Sequence, residues 1–298
     1  MKKILALIIV SVFTIAGCGK ATDKKEVKFS EVMNDNKQTI SYIVKNNSED
    51  SPGIGKDSDI LKYVISKDGK VSVYNDDNSE NPSNTKLGKL LKMSDNEKME
   101  FIKKRDKASF NKSKSELASR KMERVKEAEE GLEQEGDNDE RIEEMNGKTP
   151  KEYYTKQIKT FTKEAKKINN TKYKEPTFEK LVIEATTDGS GNNTSKEFLN
   201  IAAHDFDDDS KNGIYRESKE SANPKDYGFY FTDVVSPVEI YDTKVAGINN
   251  INYVEDNSSY DNNDTVDYDN YKYLVTEVGD KTEKFKLDQP DDKSVKEK

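Results

Sequence analysis

Acidic and amide side chains between positions 204 and 213 are the part of this sequence best suited to chemistry. Carboxylate, amide and hydroxyl oxygens are the hard ligands that Ca²⁺ takes, and Gly213 would permit the sharp turn of a calcium-binding loop. With Gly213 at the sixth position of an EF-hand loop, the twelfth is Lys219, where that loop needs a bidentate Glu. Two interpretations stay open, a calcium site and a solvated acidic loop. The candidate metal ligands are Asp205, Asp207, Asp208, Asp209, Ser210 and Asn212.

The chain offers few residues for other kinds of catalysis, because it has one His and one Cys. A single His excludes a multi-His zinc site. No G-x-S-x-G surrounds a serine that could join His204 in a hydrolase triad. Chemistry by carboxylates or by a serine stays open, since 58 acidic residues offer many pairs. No cofactor other than Ca²⁺ is expected.

The first 17 residues have the charge and hydropathy pattern of a secretory signal. Lys2 and Lys3 precede an uncharged, largely apolar run from residue 4 to residue 17, which ends in small residues. A helix over this run would rise about 21 Å, less than the hydrocarbon core of about 30 Å, so the run is short for a permanent transmembrane span. Residues 1–17 are therefore predicted to be a signal peptide.

The four residues Ile15, Ala16, Gly17 and Cys18 resemble the lipobox of bacterial lipoproteins. In that family a diacylglycerol is attached to the cysteine sulfur, and signal peptidase II cuts before the cysteine. The resemblance implies cleavage between Gly17 and Cys18, with Cys18 as a lipid anchor at the extracytoplasmic face of the cell membrane. A lipidated Cys18 could not serve in a Cys–His dyad. The alternative is an ordinary secretory signal with a chance cysteine.

The lipobox resemblance covers only the first 20 residues and assigns no activity to the ectodomain. The abundance of Lys and Asn is similar to that of surface lipoproteins from Gram-positive bacteria such as staphylococci. A formal net charge of −8 disfavours nucleic acid as a partner and disfavours adhesion to anionic lipid headgroups. The expected link to the membrane is therefore the lipid on Cys18. With 32% hydrophobic and 36% charged residues, a modest core is expected.

The elements that would position these residues predict an α+β fold. Antiparallel β segments are expected at both ends of the ectodomain, with a central, charged, hairpin-like helical region between them. The predicted divisions are a signal peptide (1–17), the lipidated Cys with a flexible tether (18–27), a small β-rich region (28–92), a helical region (93–170), a C-terminal antiparallel β-rich domain (171–288) and a disordered tail (289–298).

Local signals predict particular strands and turns. Asp68-Gly69 lies between two β-rich runs and indicates a hairpin. Gly279-Asp280 is interpreted as a second hairpin turn. In residues 178–186 the apolar alternation changes phase, which predicts one strand covered on both faces, with a partner strand near residues 196–204.

Capping signals predict the helices. Ser94 and Glu97 have capping-box spacing, and a second helical stretch is expected at residues 113–135. A third helix should begin at Thr149, with Pro150 and Glu152 in its first turn. The apolar stripes of the last two helices allow two arrangements, a helical hairpin and a cover for the β portion.

The function expected from these features is a lipid-anchored cell-surface lipoprotein that acts as a non-enzymatic binding module for an unknown macromolecule of the envelope. An aromatic face around Tyr227, Phe229 and Tyr230 would favour that hypothesis. A solute-binding lipoprotein of a transporter is the first alternative, although such proteins usually have two lobes in which strands and helices alternate. An envelope enzyme or foldase using carboxylate or serine chemistry is the second.

Overall fold

The computed structural model describes residues 20–45, 53–76, 85–134, 149–190, 193–201, 205–206, 215–216, 228–250 and 271–298. The strands are β1 (Glu26–Lys28), β2 (Thr39–Lys45), β3 (Asp59–Lys67), β4 (Lys70–Asn75), β5 (Glu179–Lys180), β6 (Ile183–Thr187), β7 (Thr194–Asn200), β8 (Asp205–Phe206), β9 (Tyr215–Arg216), β10 (Gly228–Phe231), β11 (Asp233–Ile240), β12 (Thr243–Asn249), β13 (Lys272–Glu277), β14 (Lys284–Lys286) and β15 (Val295–Glu297). The helices are α1 (Phe29–Asn34), α2 (Leu87–Leu90), α3 (Asp95–Gln134) and α4 (Pro150–Asn170). The predicted α+β class is confirmed.

A seven-stranded antiparallel sheet, in the order β11-β12-β13-β2-β3-β4-β5, is the centre of the fold. β2 pairs with β13, so strands from both ends of the chain share this sheet. The prediction of a separate small region at 28–92 and a domain at 171–288 was therefore wrong. Both β2 and β13 are buried along most of their length, and the backbone N–H and C=O groups of each strand need the other strand as a hydrogen-bond partner.

The two faces of this sheet are covered by different elements. Alternating strand residues point to opposite faces, and on one face they pack against α1 and the four-stranded sheet β10-β7-β6-β15. On the other face they pack against α2 and the first turns of α3. The second face carries the large side chains Tyr42, Tyr63 and Tyr273, which are almost completely buried.

The hairpin between β3 and β4 was predicted correctly. Asp68 and Gly69 have φ angles of 53° and 74°, the left-handed pair that suits the twist of two antiparallel strands. A Cβ at Gly69 would lie 2.9 Å from the Asn34 side chain, so this turn also sits close against α1.

Residues 178–186 form two strands instead of one. β5 pairs with β4 in the seven-stranded sheet, whereas β6 pairs with β7 in the four-stranded sheet. Leu181 is buried and Val182 is 39% exposed at the crossing between the sheets. The phase change in the apolar pattern therefore marks a change of sheet and not a strand covered on both faces. The expected partner strand near residue 196 is β7.

The second predicted hairpin, at Gly279-Asp280, does not form. β13 pairs with β12 and β2, while β14 pairs in parallel with β1. The Gly279 N–H donates to the carbonyl of Thr22, and the Thr282 hydroxyl donates to the same carbonyl. The N-terminal segment thus takes the place that the hairpin partner would have had.

Both chain ends are more ordered than predicted. The tether expected at 18–27 packs on the fold at Ala21, Thr22 and Val27, which are buried. The tail expected to be disordered at 289–298 contains β15, which pairs in parallel with β6. The Lys28 ammonium also lies 2.6 Å from a carboxylate oxygen of Asp292. Polar composition suggested disorder at both ends, but partners far away in sequence order them.

The helical region begins with one long helix. α3 is continuous over 40 residues, so the predicted separation between helices near 94 and 113 was wrong. Residues 95–134 contain no Pro, and their one Gly is Gly131, close to the end. The helical hydrogen bonds therefore continue through the polar stretch between the two apolar stripes. The capping box of Ser94 and Glu97 is present, as is that of Thr149 and Glu152 on α4.

Candidate functional site

The start of α3 is fixed to the seven-stranded sheet by an ion pair between a buried lysine and a partly exposed glutamate. The Lys98 side chain is 3% exposed, and its Nζ lies 2.6 Å from Oε1 of Glu277 on β13. The Tyr42 hydroxyl donates to the same Oε1 at 3.0 Å. Burial, with the Glu277 charge beside it, raises the pKa of Tyr42 well above its usual range. The pair holds α3 at the end of the sheet where β13 finishes.

Two further carboxylates fix α3 at the opposite end of the sheet, where β4 finishes. Asp76 is 4% exposed and accepts hydrogen bonds from three residues. The donors include Arg105 Nε at 2.7 Å, the Tyr63 hydroxyl at 2.9 Å and the Thr85 N–H at 2.7 Å. Asp106 accepts from the Asn75 N–H at 2.8 Å. α3 therefore crosses the sheet from β13 to β4.

Beyond Phe110, which packs on Tyr173, the described apolar clusters of α3 are shared with α4. Leu117 and Ala118 pack on Ile168, and farther along Ala128 packs on Tyr154. Roughly 28 residues separate Asp106 from the end of α3, which corresponds to about 42 Å. We call residues 107–134 together with α4 the helical arm. Of the two predicted arrangements for the last two apolar stripes, the helical hairpin is the one that forms, because these stripes pack on each other. The sheet is covered instead by the earlier part of α3 around Ile102.

Small residues let the two helices approach closely near the end of the arm. A Cβ at Gly131 would lie 2.7 Å from the ring of Tyr154, so only glycine leaves room for that ring. Tyr153 and Tyr154 meet edge to face with their ring centres 5.3 Å apart. Arg124 lies over the Phe161 ring at 5.7 Å. The arm therefore ends in a small aromatic cluster that is separate from the sheet.

A groove of about 490 Å³ opens on this cluster, and we call it the tip groove. Its size lies within the range of ligand sites. It offers aromatic rings, amides and charges of both signs, a mixture that suits a polar chain such as a peptide. The residues lining it are Arg124, Glu127, Ala128, Glu130, Gly131, Gln134, Tyr153, Tyr154, Gln157 and Phe161.

The predicted metal site falls almost completely outside the described residues. Asp205 belongs to β8, where it pairs with Arg216 of β9, and β8 lies against α3. The other candidates and His204 lie outside the described ranges: Asp207, Asp208, Asp209, Ser210 and Asn212. Among the residues that the structure describes, no three acidic, His or Cys side chains form a group that could hold a metal ion.

The predicted processing site, Gly17 and Cys18, also lies outside the described part of the chain. In that described part, no helix has the length and apolar character needed to cross a bilayer.

The aromatic residues of β10 do not form an open face. Phe229 packs against the core between the sheets, and the Tyr230 ring lies 4.6 Å from that of Phe198. Lys196 covers the Tyr230 ring at 5.3 Å. Tyr227 lies outside the described residues. The described part of the expected face is therefore structural packing.

Two buried carboxylates were missed by the sequence reasoning. Glu197 on β7 and Asp288 after β14 are both 0% exposed. Asp288 accepts from the Ser30 N–H at 3.0 and 3.1 Å, and its own N–H donates to Oε1 of Glu197. Burial raises the pKa of Asp288 to about 7 and raises the pKa of Glu197 well above its usual range. No local signal could have found them, because they are 91 residues apart.

These carboxylates serve the fold and not an open site, because the segment that follows Asp288 closes over β6 and β7. The tip groove is therefore the candidate functional site. No protein-family model, curated protein or solved structure matches this chain.

Proposed function

We propose that this chain is a lipid-anchored protein of the extracytoplasmic membrane face that binds a macromolecular partner of the envelope through its helical arm, without catalysing a reaction. The observation that carries the proposal is the arm itself. It extends about 42 Å beyond Asp106, and in the described residues its apolar clusters from Leu117 onward hold two helices together.

The arm contributes little to the stability of the sheet, and this favours a role in presenting a binding surface to a partner. In the described part of the chain, two small apolar clusters hold its helices together, whereas the sheet has two extensive apolar faces. Most helix stability in proteins comes from packing, so a long exposed pair is a costly way to stabilise a core. The length of the arm is better explained if it holds the tip groove at a distance from the sheet.

The placement of the chain's N-terminal segment supports this function. Residues 20–24 pack beside Gly279 and Asp35, at the end of the sheet where β13 and β3 finish. The arm leaves at the other end, next to Asn75 of β4. A lipid on Cys18 would therefore tether one end of the ectodomain and leave the tip groove at the far end.

The alternatives receive less support. A solute-binding lipoprotein is expected to have two α/β lobes, whereas this chain has a seven-stranded antiparallel sheet with a helical excursion. For an enzyme, the buried pair Glu197 and Asp288 would need access to a substrate, and both side chains are completely enclosed.

The anchor is tested by metabolic labelling with a fatty-acid analogue in cells that express the native chain or Cys18→Ala. The native chain should be labelled and found in the membrane fraction, and the variant should not. Label on the variant at the native level would refute the assignment to Cys18.

The binding role is tested by capture from envelope extracts, with residues 19–298 as bait. A double variant of the tip groove, Tyr153→Ala with Gln157→Ala, should lose a partner that the native ectodomain retains. The matched control changes two exposed residues of the sheet region, Lys180→Ala with Asp242→Ala, and should retain it. If all three proteins capture the same set equally, the tip groove is not the binding site.

A further inference from the structure

The base of the arm concentrates positive charge on an otherwise acidic protein. Residues 103–114 contain six Lys and Arg against one acid, and residues 163–174 contain five Lys against one acid. The two stretches lie side by side, because the ring centres of Phe110 and Tyr173 are 5.5 Å apart. In the rest of the arm, residues 115–134 and 149–162, the seven basic and seven acidic residues balance.

Three lysines of α3 share one face at this point. Lys103, Lys107 and Lys114 are spaced by four and seven residues, which places them in one row along the helix. Lys103 Nζ lies 2.7 Å from Oε1 of Glu175, and Lys114 Nζ lies 3.5 Å from the carbonyl of Thr171. Lys107 lies between them, so the row faces the 171–175 segment.

That segment adds a fourth lysine, Lys172. We call Lys103, Lys107, Lys114 and Lys172 the basic cluster. Lys107 and Lys172 are exposed, and no ion pair or hydrogen bond involves their ammonium groups in the described part of the structure.

The nearby acids offset only part of the charge of the basic cluster, because among its lysines only Lys103 pairs with Glu175 in the described structure. Glu175 is shared between Lys103 and the Tyr74 hydroxyl, which donates at 3.2 Å. Asp106 is buried and already accepts from the Asn75 N–H and from the Tyr173 hydroxyl at 2.8 Å. The cluster therefore carries an excess of cations on a rigid helix.

We infer that the basic cluster binds a linear polyanion whose charges are phosphates. Lysine is a common phosphate ligand that acts as a point charge. The row on α3 spans about 16 Å, which one small anion could not bridge but a chain of repeated phosphates could. The inference rests on the proposed function, because it names the chemistry of a partner of the same arm.

The negative net charge of the protein does not prevent such binding. At physiological ionic strength the Debye length is about 8 Å, so charges far from the cluster are largely screened. A local patch in which lysines outnumber carboxylates then determines the potential that an approaching polymer meets.

Titration of residues 19–298 with fluorescently labelled long-chain inorganic polyphosphate tests this inference, with anisotropy read from 50 to 300 mM NaCl. If four phosphates are neutralised, the logarithm of the affinity should fall with the logarithm of the salt concentration with a slope of about −3. The variant Lys107→Gln with Lys172→Gln should weaken binding roughly 20-fold and make the slope shallower by about 1.4.

The matched control is Lys151→Gln with Lys159→Gln, which removes the same charge from the exposed surface of α4 near the end of the arm. It should bind within about twofold of the native ectodomain, with far-UV circular dichroism unchanged in both variants. Equal losses in the two variants, or no binding at 50 mM NaCl, would overturn the inference. So would binding to vesicles of anionic phospholipid without binding to polyphosphate.

The outcome is distinguishable from failure of the proposed function. Polyphosphate binding is measured on the soluble ectodomain and depends neither on Cys18 nor on the tip groove. A partner captured by the tip groove, together with no response to polyphosphate, would leave the proposed function standing and remove this inference alone.

Discussion

Replacing Glu197 with Gln should change how the stability of the protein depends on pH. Glu197 is completely buried, its Oε1 accepts the Asp288 N–H, and its Oε2 has no hydrogen-bond partner in the described structure. The charged groups that face the pair are Asp292 and Lys28. Burial and mutual repulsion therefore favour the protonated form of these two carboxyl groups.

The sign of the effect follows from proton binding. The folded-state pKa of Asp288 is about 7, against about 3.9 in an unfolded chain. Between these values the folded protein binds more protons, so the free energy of unfolding falls as the pH rises. Three pH units at about 1.4 kcal/mol each give about 4 kcal/mol as an upper bound over the whole window. The two units between pH 5 and pH 7 give about 3 kcal/mol, or roughly 7 °C in melting temperature for a chain of this size.

The assay is thermal unfolding of residues 19–298 from pH 5 to pH 8, followed by circular dichroism. The native protein should be most stable near pH 5 and lose stability toward pH 8. Glu197→Gln keeps the acceptor oxygen but removes the charge, so it should melt at or slightly below the native temperature at pH 5 and above it at pH 8.

An exposed carboxylate supplies the control. Glu26 pairs with Lys286 at 2.5 Å, and that hydrogen bond lowers its pKa, so Glu26→Gln should leave the pH profile almost unchanged. A native profile that is flat or rises from pH 5 to pH 8 would refute the reasoning. So would a Glu197→Gln variant with the full native slope.

Three other substitutions should separate the sheet from the arm. Asp76→Ala removes a fully buried carboxylate that accepts from the partly buried Arg105 and from the Tyr63 hydroxyl, and it should destabilise the protein by about 3 kcal/mol in urea unfolding; a loss below about 1 kcal/mol would contradict the assigned network. Gly69→Ala places a Cβ in a left-handed turn and should cost about 1–2 kcal/mol in the same assay, with Gly189→Ala, which meets no atom within 4 Å, as its neutral counterpart. Gly131→Leu should displace the Tyr154 ring and abolish capture by the tip groove, while amide hydrogen exchange in β2 and β13 stays at the native level; faster exchange there would show that the arm and the sheet are coupled.

Signals that act within a few residues were predictable from the sequence. The turn at Asp68-Gly69 and the capping boxes at Ser94 and Thr149 depend on contacts across three or four positions, and all three are present. Such contacts depend on backbone geometry that the local sequence determines almost alone.

Pairings between distant segments were not predictable. β1 pairs with β14 and β6 with β15, and in both cases a strand of three residues is stabilised by a neighbour more than 100 positions away. Three-residue strands carry too little alternation to be recognised. No local pattern indicates that Glu197 and Asp288 meet, because 91 residues separate them. The phase change in residues 178–186 was visible, but it does not distinguish a strand covered on both faces from a change of sheet.

The polar chain ends and the arm divide the molecule into two regions with different tasks. At one end of the sheet, Lys28 forms an ion pair with Asp292, and the Ser30 N–H donates to Asp288. The C-terminal segment therefore packs against β1 and the start of α1. A force applied through a lipid on Cys18 would act on β1, which is paired with β14 and held in place by the C-terminal segment. The opposite end bears the arm, which begins where Asp106 accepts from the last residue of β4. Substitutions in the arm should therefore alter binding with little effect on the attachment point, because the rigid sheet separates the two.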